Sequence, residues 1–173
     1  PGALGTVVTV KNLFHSVPAR RKFLKKPSAE AGQISDVVTK LALGHPEISF
    51  RYVNNGSEIF HTPGDNDLNL AFYSIFGKDA ALKTMPLEHE SGGYSLKGLL
   101  GRPELVRANR SYEHIYINGR FIKNELISSA IEEAYKTRLP IGRFPVFVLN
   151  LGISPSMVDV NVHPAKLQAR FAD

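Results

Sequence analysis

Residues 112–151, YEHIYINGRFIKNELISSAIEEAYKTRLPIGRFPVFVLNL, decide the fold class of this chain. Glu113–Ile117 is rich in β-branched and aromatic residues and predicts a strand, and Asn118-Gly119 is typical of a tight hairpin turn. The strongly apolar run Phe144–Leu151 predicts a strand at the centre of its sheet. Between the two strands, apolar residues at helical spacing predict a helix: Leu126, Ile127, Ala130, Ile131 and Ala134. The order strand, helix, strand indicates a mixed α/β unit.

Strands and helices are also mixed on the N-terminal side of this segment. Asn54-Asn55-Gly56 separates two strand-like runs and predicts a hairpin over residues 48–61. Ser91-Gly92-Gly93 predicts a second hairpin over residues 84–100, with a short helix before it at residues 68–76. The predicted fold class is therefore α/β of the two-layer α+β kind, a mixed sheet with helices on one face.

The first 64 residues have a different pattern. The β-branched run Val7–Val10 predicts a strand, and a short basic helix is predicted over residues 19–26 after Pro18. Ser28 is a suitable N-cap for a longer helix. One apolar stripe of that helix is predicted to face a sheet: Ile34, Val37, Val38, Leu41 and Ala42. Breaker residues at 62–67 predict a domain boundary between 1–64 and 65–173.

Composition narrows the classes of function. The chain has 173 residues, of which 43% are hydrophobic, and a formal net charge of +5, which favours anionic partners such as nucleic acid or nucleotide. It has no cysteine, so disulfides and thiolate metal sites are excluded. No apolar run approaches the roughly 18 residues that cross a bilayer. The 6 histidines lack metal-site spacing, and the sequence contains no P-loop.

Two groups of basic residues are candidate contacts for phosphates. The first group places five cations within seven residues: Arg20, Arg21, Lys22, Lys25 and Lys26. Such a group can lie against a nucleic-acid backbone, although a solvated helix face has the same pattern. The second group is a looser cluster around the central hairpin, in which the Asn118-Gly119 turn would lift Arg120 to the tip: Arg102, Arg107, Arg110, Arg120 and Lys123. A plain turn with a solvated arginine is the alternative there.

Lys166 is a third candidate contact for a phosphate. It follows His163-Pro164-Ala165, between predicted strands at residues 158–162 and 167–171. The proline favours an extended conformation at His163, so Lys166 is predicted to lie on a stiff loop. A lysine in such a place can act as a point charge for a phosphate. Contact with water alone is the alternative.

Three motifs, in this order, resemble the MutL family of DNA mismatch repair ATPases. Residues 5–24 contain GTVVTVKNLF followed by PARRKFL, residues 118–120 are NGR, and residues 158–166 are VDVNVHPAK. Together they span nearly the whole chain. His-Ser-Val at residues 15–17 and Gln168 depart from the usual family residues, which affects the detail of the 11–17 loop. The intact HPAK and residues 144–147 resemble bacterial members.

The resemblance implies a fold and a nucleotide site. Residues 1–64 would be the C-terminal part of an ATPase domain of the superfamily that includes gyrase, heat-shock chaperones, histidine kinases and MutL. Residues 65–173 would be a transducer domain similar to the second domain of gyrase B, with a left-handed β-α-β crossover. Gly5 and Thr6 match the last ATP motif, and Lys166 matches the lysine that reaches the γ-phosphate. Several basic residues match DNA-binding surfaces: Arg20, Arg21, Lys22, Lys25, Arg120 and Lys123.

The resemblance also implies what lies outside this chain. The general-base glutamate and Mg-binding asparagine of the superfamily precede Gly5, so the chain alone is expected to be inactive and to hold no ATP or Mg. The longer protein is expected to be a weak Mg-dependent ATPase. It would be a cytoplasmic, nucleoid-associated homodimer that contacts DNA, a MutS-type mismatch recognition protein and other repair factors, with no membrane contact. Two alternatives stay open: an autonomous basic nucleic-acid-binding domain, and the equivalent piece of a type II topoisomerase.

Overall fold

The computed structural model describes residues 4–154 and two short strands, Val158–Asp159 and Arg170–Phe171. The chain divides into two compact units: an N-terminal unit of residues 1–36 and a main unit of residues 37–173. The two units are defined by the contacts that residues make within the chain. The boundary predicted between residues 64 and 65 instead separates the ATPase-domain part from the transducer domain that the family resemblance implies. That boundary stays a prediction.

The N-terminal unit has little regular structure before its second helix. Helix α1, Pro18–Arg21, is a single turn with proline near its start, where an amide donor is not needed. Helix α2, Pro27–Gly44, begins one residue before the predicted cap and continues into the main unit. Its buried residues are Ala42 and Leu43. The predicted apolar stripe is therefore only partly buried, and three of its members are exposed: Ile34, Val37 and Leu41.

The strand predicted at Val7–Val10 is not formed. This run has no regular secondary structure, and the side chains of Val7, Val8 and Val10 are 93%, 80% and 75% exposed. A strand is stable only when neighbours pair with its backbone and cover one face. The described residues give this run no such neighbour. The prediction was wrong because β-propensity describes how well a residue fits into a sheet. It does not show that a neighbouring strand is present to pair with.

In chain order, the main unit continues after α2 with strands β1 (Arg51–Asn54) and β2 (Ser57–His61), helices α3 (Leu68–Phe76) and α4 (Lys78–Ala81), strands β3 (Thr84–Ser91), β4 (Tyr94–Gly101), β5 (Val106–Arg107), β6 (Glu113–Ile117) and β7 (Arg120–Ile122), helix α5 (Glu125–Tyr135), and strands β8 (Phe144–Pro145), β9 (Phe147–Gly152), β10 (Val158–Asp159) and β11 (Arg170–Phe171). A short 3-10 helix, Arg110–Tyr112, precedes β6. Both predicted hairpins and the helix at 68–76 are confirmed.

A five-stranded mixed sheet forms the centre of the main unit, in the spatial order β3-β4-β9-β6-β7. Neighbouring strands are antiparallel except β6 and β9, which run parallel with Ile115 opposite Leu149. The central position predicted for the apolar strand is therefore confirmed. Helix α5 lies between this parallel pair in sequence, and its N-cap Asn124 accepts a hydrogen bond from the Ile127 amide at 3.0 Å. The left-handed crossover stays a prediction.

Apolar clusters cover both faces of this sheet. On one face, Ile127 and Ile131 of α5 pack on a buried cluster: Ile115, Ile117, Ile122, Phe147, Leu149 and Ile153. The cluster on the other face combines residues of α2, α3 and α4 with residues of the strands and of the link between β8 and β9: Leu43, Phe72, Ala80, Leu99, Tyr116, Val146 and Val148. Alternate residues of β6 and β9 contribute to each face. The predicted mixed α/β class is confirmed, but helices pack on both faces of the sheet and not on the one face that was predicted, because β6 and β9 present apolar side chains on both sides.

The apolar face predicted for α5 is narrower in the structure than in the sequence. Leu126 is 73% exposed, and Ala130 and Ala134 are exposed as well. Of the five predicted residues, Ile127 and Ile131 are the ones that join the core. Sequence spacing therefore located the helix but overestimated the width of its buried stripe.

Candidate functional site

The Asn118-Gly119 turn joins β6 to β7 and is tied to the end of β9. Both residues have left-handed backbone, with φ of 49° and 78°, as a tight hairpin requires. The Asn118 carboxamide donates to the Ile153 carbonyl at 2.9 Å and accepts from the Ile153 amide at 3.0 Å. The Asn118 amide donates to the Leu151 carbonyl at 3.0 Å, and the Gly119 amide donates to Asn150 Oδ1 at 3.2 Å. Four hydrogen bonds thus fix this turn.

Arg120 and Lys123 follow the turn as predicted. Arg120 is half-buried, and Lys123 is exposed. Neither side chain has an ion-pair partner within residues 4–154. Both charges are therefore available to an anionic ligand at the β7 side of the sheet.

The end of α2 lies against the same hairpin. The Tyr116 hydroxyl donates to the Lys40 carbonyl at 2.7 Å, and Lys40 Nζ lies 4.6 Å from the centre of the Phe121 ring. A Cβ at Gly44 would come within 2.5 Å of the Tyr116 ring, so glycine permits this close approach. Sequence analysis missed the contact, because nothing in a single sequence connects residues 76 positions apart.

Gly5 and Thr6, the predicted nucleotide contacts of the N-terminal unit, are exposed. A Cβ added at Gly5 would meet no heavy atom within 4 Å, so there is room for a ligand to approach its backbone closely. The described residues do not enclose a site around this pair.

The basic group of the N-terminal unit is solvated and unpaired. All five side chains are exposed: Arg20, Arg21, Lys22, Lys25 and Lys26. None of them is paired with a carboxylate within residues 4–154. The Lys25 backbone amide, by contrast, donates to Glu30 Oε1 at 2.8 Å. The group therefore keeps its full positive charge, which fits both a phosphate contact and a plain solvated segment.

Lys166, with His163 and Pro164 before it, lies outside the described residues. In sequence it falls between β10 and β11, which pair antiparallel with Val158 opposite Phe171. The two predicted strands that flank the lysine are therefore present in part. The phosphate contact predicted for Lys166 stays a prediction.

A buried carboxyl group that the sequence did not indicate lies at Glu113. It is 9% exposed, and neither of its oxygens has a hydrogen-bond partner among the described residues. Burial raises the pKa of Glu113 to about 7. The polar side chain of Ser128 lowers this pKa in part, and the negative charge of Glu132 raises it further. Arg110 donates to both oxygens of Glu132, at 2.5 and 2.9 Å, and lowers the pKa of Glu132. Arg110 therefore forms an ion pair with Glu132, one of the two neighbouring carboxyl groups.

The stability of the main unit is expected to fall as the pH rises from about 5 to 8. Glu113 holds its proton more tightly in the folded chain, with a pKa of about 7, than at its ordinary value of 4.5, so its ionisation opposes folding across this window. Glu113→Gln removes the ionisation and should be more stable than the wild type at pH 8 by about 1–3 kcal/mol, with little difference near pH 4.5. Urea unfolding at both pH values measures this, with the exposed Glu104→Gln as the control. Parallel pH profiles for wild type and Glu113→Gln would contradict it.

The described part of the chain offers neither a metal-binding cluster nor a membrane-spanning helix. No group of three or more histidine, aspartate or glutamate side chains there could hold a metal ion. No helix there has the length and apolar character needed to cross a membrane.

Known proteins match this chain over nearly its whole length. A family model described as the C-terminal domain of DNA mismatch repair proteins matches residues 72–173. DNA mismatch repair protein MutL of Shouchella clausii is 45% identical over 168 residues, which are 97% of this chain and 26% of that protein. The MutL of Listeria welshimeri is 46% identical, over 97% of this chain and 28% of that protein. The chain therefore spans about a quarter of the length of these relatives.

Solved structures share the fold. The N-terminal domain of a DNA repair protein superposes with a TM-score of 0.74 at 22% identity, covering 92% of this chain and 53% of that one. The Aquifex aeolicus MutL ATPase domain complexed with ADP superposes with a TM-score of 0.64 at 26% identity, covering 84% of this chain and 52% of that one. The mixed α/β architecture is therefore one that repair-protein structures contain.

Proposed function

We propose, since the chain belongs to the MutL family of DNA mismatch repair proteins, that it is the part of a longer repair protein which couples ATP binding to DNA contact. Identity of 45% over 97% of the chain to a MutL protein carries this proposal. The ADP in a related ATPase domain supports a nucleotide in the longer protein. The same matches favour this role over that of a type II topoisomerase piece.

The coupling is electrostatic. Lys166 meets the γ-phosphate of ATP bound in the adjoining ATPase domain, and Gly5 and Thr6 lie against the nucleotide. A lysine is a compact point charge, so it stabilises the arrangement in which the phosphate is within reach. Hydrolysis removes that partner, and the population shifts back to the open arrangement. The base that activates water and the Mg ligands are supplied by the part of the protein before Gly5.

The open surroundings of Gly5 fit this role, because a phosphate can approach its backbone without meeting a side chain. Mg held by the part of the protein before Gly5 would neutralise charge on the phosphates during transfer. In this chain, Lys166 orients the γ-phosphate rather than the metal ion.

DNA is contacted by unpaired cations of both units. Those of the N-terminal unit are Arg20, Arg21, Lys22 and Lys25, and those of the main unit are Arg120 and Lys123. Their charges replace counterions on the DNA backbone, so binding weakens steeply with salt. The longer protein acts in the bacterial cytoplasm as a homodimer, and its nucleotide state is passed to a MutS-type protein and other repair factors.

Lys166→Ala in the whole protein is expected to lower ATP turnover about 100- to 1000-fold, the range for losing one donor to a developing anion. ATP-dependent dimer closure should weaken with it. Steady-state ATPase assays and sedimentation measure the two effects, and the exposed Lys78→Ala is the control for loss of one lysine. Turnover and closure equal to those of Lys78→Ala would exclude this role for Lys166.

A second candidate function is an autonomous nucleic-acid-binding domain, which the unpaired cations of the N-terminal unit favour. DNA binding by this chain alone, at the affinity of the whole protein and without ATP, is the result that would support it. Binding that requires the whole protein would support the coupled function instead.

A further inference from the structure

Five cations lie around one end of the five-stranded sheet, where β4 ends and β9 begins. We call them the β4-end group: Lys83, Arg102, Arg107, Arg138 and Arg143. Within residues 4–154, none of them forms an ion pair with a carboxylate. Arg107 is half-buried, and the other four are exposed. The sequence grouped only Arg102 and Arg107 with other basic residues, so it is the fold that brings these five cations together.

Backbone hydrogen bonds hold three of these cations in place. The Arg102 amide donates to the Lys83 carbonyl at 2.7 Å, which continues the β3–β4 pairing by one residue beyond both strands. Residues directly opposite on antiparallel strands point to the same face, so these two charges lie close together. The buried Tyr135 hydroxyl donates to the Gly101 carbonyl. This bond brings the end of α5, and Arg138 after it, to the same end of the sheet.

Arg107 and Arg143 lie on the neighbouring β5–β8 ladder. Arg107 is opposite Phe144 in that ladder, so Arg143 comes next to it. The Arg107 guanidinium lies over the Tyr112 ring, 4.5 Å from its centre, and donates to the Val106 carbonyl at 3.0 Å. These contacts hold its plane in one orientation and leave its other N–H donors for a ligand. A charge partly removed from water is stabilised by an opposite charge, so Arg107 indicates an anion site.

Little negative charge opposes this group. In the segments that carry it, residues 82–84, 102–108 and 134–145, Glu104 is the single carboxylate. The neighbouring Arg110 and Lys136 are neutralised by Glu132 and Glu133. Four of the five cations are arginines, which bind phosphate oxygens through two N–H groups at once. Cations spread over several strand ends fit an extended polyanion better than one small anion.

The place of the group in the sheet favours DNA as that polyanion. Arg107 precedes β6, and Arg120, a proposed DNA contact, follows it. At about 3.3 Å per residue, the length of β6 is about 17 Å. This length corresponds to about five base pairs of a duplex that rises 3.4 Å per pair. A duplex of ordinary length therefore reaches from one end of β6 to the other.

We infer that the β4-end group binds the phosphate backbone of DNA, in addition to the contacts proposed for the N-terminal unit and for Arg120. The inference rests on the DNA contact in the proposed function. It adds a surface on the main unit that is held by hydrogen bonds, whereas the cations of the N-terminal unit lie on a segment with little regular structure.

The experiment compares two double variants of the whole protein. One changes Arg102 and Arg143 to glutamine, and its control changes Arg51 and Lys97, which already form ion pairs. Fluorescence anisotropy with one duplex over a series of salt concentrations gives the affinity and its salt dependence. Loss of two phosphate contacts is expected to weaken binding about 10-fold near 0.1 M salt and to lower the slope of log affinity against log salt by about 1.8. The control should change both much less.

Arg107→Lys tests the stacked guanidinium. It keeps the charge but loses the planar fork of donors, so binding is expected to weaken about 3-fold with little change in the salt slope. Thermal unfolding checks that the variant is folded. Binding equal to that of the wild type would overturn the assignment of Arg107 to the site.

The outcomes separate this inference from the proposed function. Equal weakening by the two double variants would mean that net charge alone attracts DNA, and would overturn the inference. An unchanged salt slope with weaker binding of poly-aspartate would overturn it as well, and would indicate an acidic protein as the partner. If neutralising Arg20, Lys22 and Lys25 weakens DNA binding but the Arg102 and Arg143 variant does not, the inference fails and the proposed DNA contact survives. The reverse result supports the inference and excludes the N-terminal contact.

Discussion

Gly98→Ala is expected to destabilise the main unit by at least about 3 kcal/mol, the upper end of the usual cost of overpacking. Gly98 lies in the middle of β4, opposite Leu87 of β3 and Leu149 of β9. A Cβ there would overlap the carbonyl oxygen of Val148 and come within 3.0 Å of the Leu149 Cα. Both atoms belong to the backbone of the central strand and cannot rotate away. The strands β4 and β9 would therefore have to separate.

Urea unfolding of the two variants Gly98→Ala and Gly32→Ala measures this effect. Gly32 lies in α2, and a Cβ added there meets no heavy atom within 4 Å. The control should gain about 0.5–1 kcal/mol, because alanine favours a helix over glycine. The same methyl group thus has opposite effects at the two positions. A loss below about 1 kcal/mol at Gly98 would mean that the sheet relaxes around the new side chain.

Neutralising Arg20, Lys22 and Lys25 together is expected to weaken DNA binding of the whole protein about 10- to 100-fold near 0.1 M salt. Each phosphate contact that is lost lowers the slope of log affinity against log salt by about 0.9, so the triple glutamine variant should lose nearly three units of slope. Fluorescence anisotropy with one duplex over a series of salt concentrations measures both quantities. The loss should be the same for different DNA sequences, because phosphates carry no sequence information.

The matched control removes the same charge from cations that already have partners. Arg51, Lys97 and Lys136 form ion pairs with Glu58, Glu88 and Glu133, at 2.6, 2.6 and 3.1 Å. Changing these three residues to glutamine also removes one arginine and two lysines, yet the slope is expected to change little. Equal weakening by both triple variants would mean that net charge alone attracts DNA, and would contradict a specific role for the N-terminal group.

Local signals predicted the fold well wherever a short stretch of sequence determines its own structure. Asn55-Gly56 and Asn118-Gly119 marked hairpin turns because few other residue pairs tolerate left-handed backbone. Asp67 caps α3 by accepting hydrogen bonds from the amides of Asn69 and Leu70, at 2.7 and 3.3 Å, which are contacts within one helical turn. These features need no information from the rest of the chain.

Long-range features were beyond the reach of a single sequence. Val7–Val10 has the composition of a strand, but a strand requires a partner that composition does not name. Glu113 has an ionisable side chain, and its burial depends on the packing of the folded chain, which a single sequence does not reveal. The bonds from Asn118 to Ile153 join residues 35 positions apart. The sequence predicted the turn at Asn118-Gly119, whereas the hydrogen bonds of the Asn118 side chain are visible only in the structure.

The exposed run at the start of the described chain has a consequence for handling the protein in solution. Thr6–Val10 combines high β-propensity with no charge and no proline, and its three valines are 75% or more exposed. Such a run is a template for intermolecular cross-β pairing, since any extended strand can use its unpaired backbone groups. The lysine that follows at position 11 is the gatekeeper that limits such self-association. Resistance of this chain to aggregation therefore depends on whether another protein surface covers Thr6–Val10.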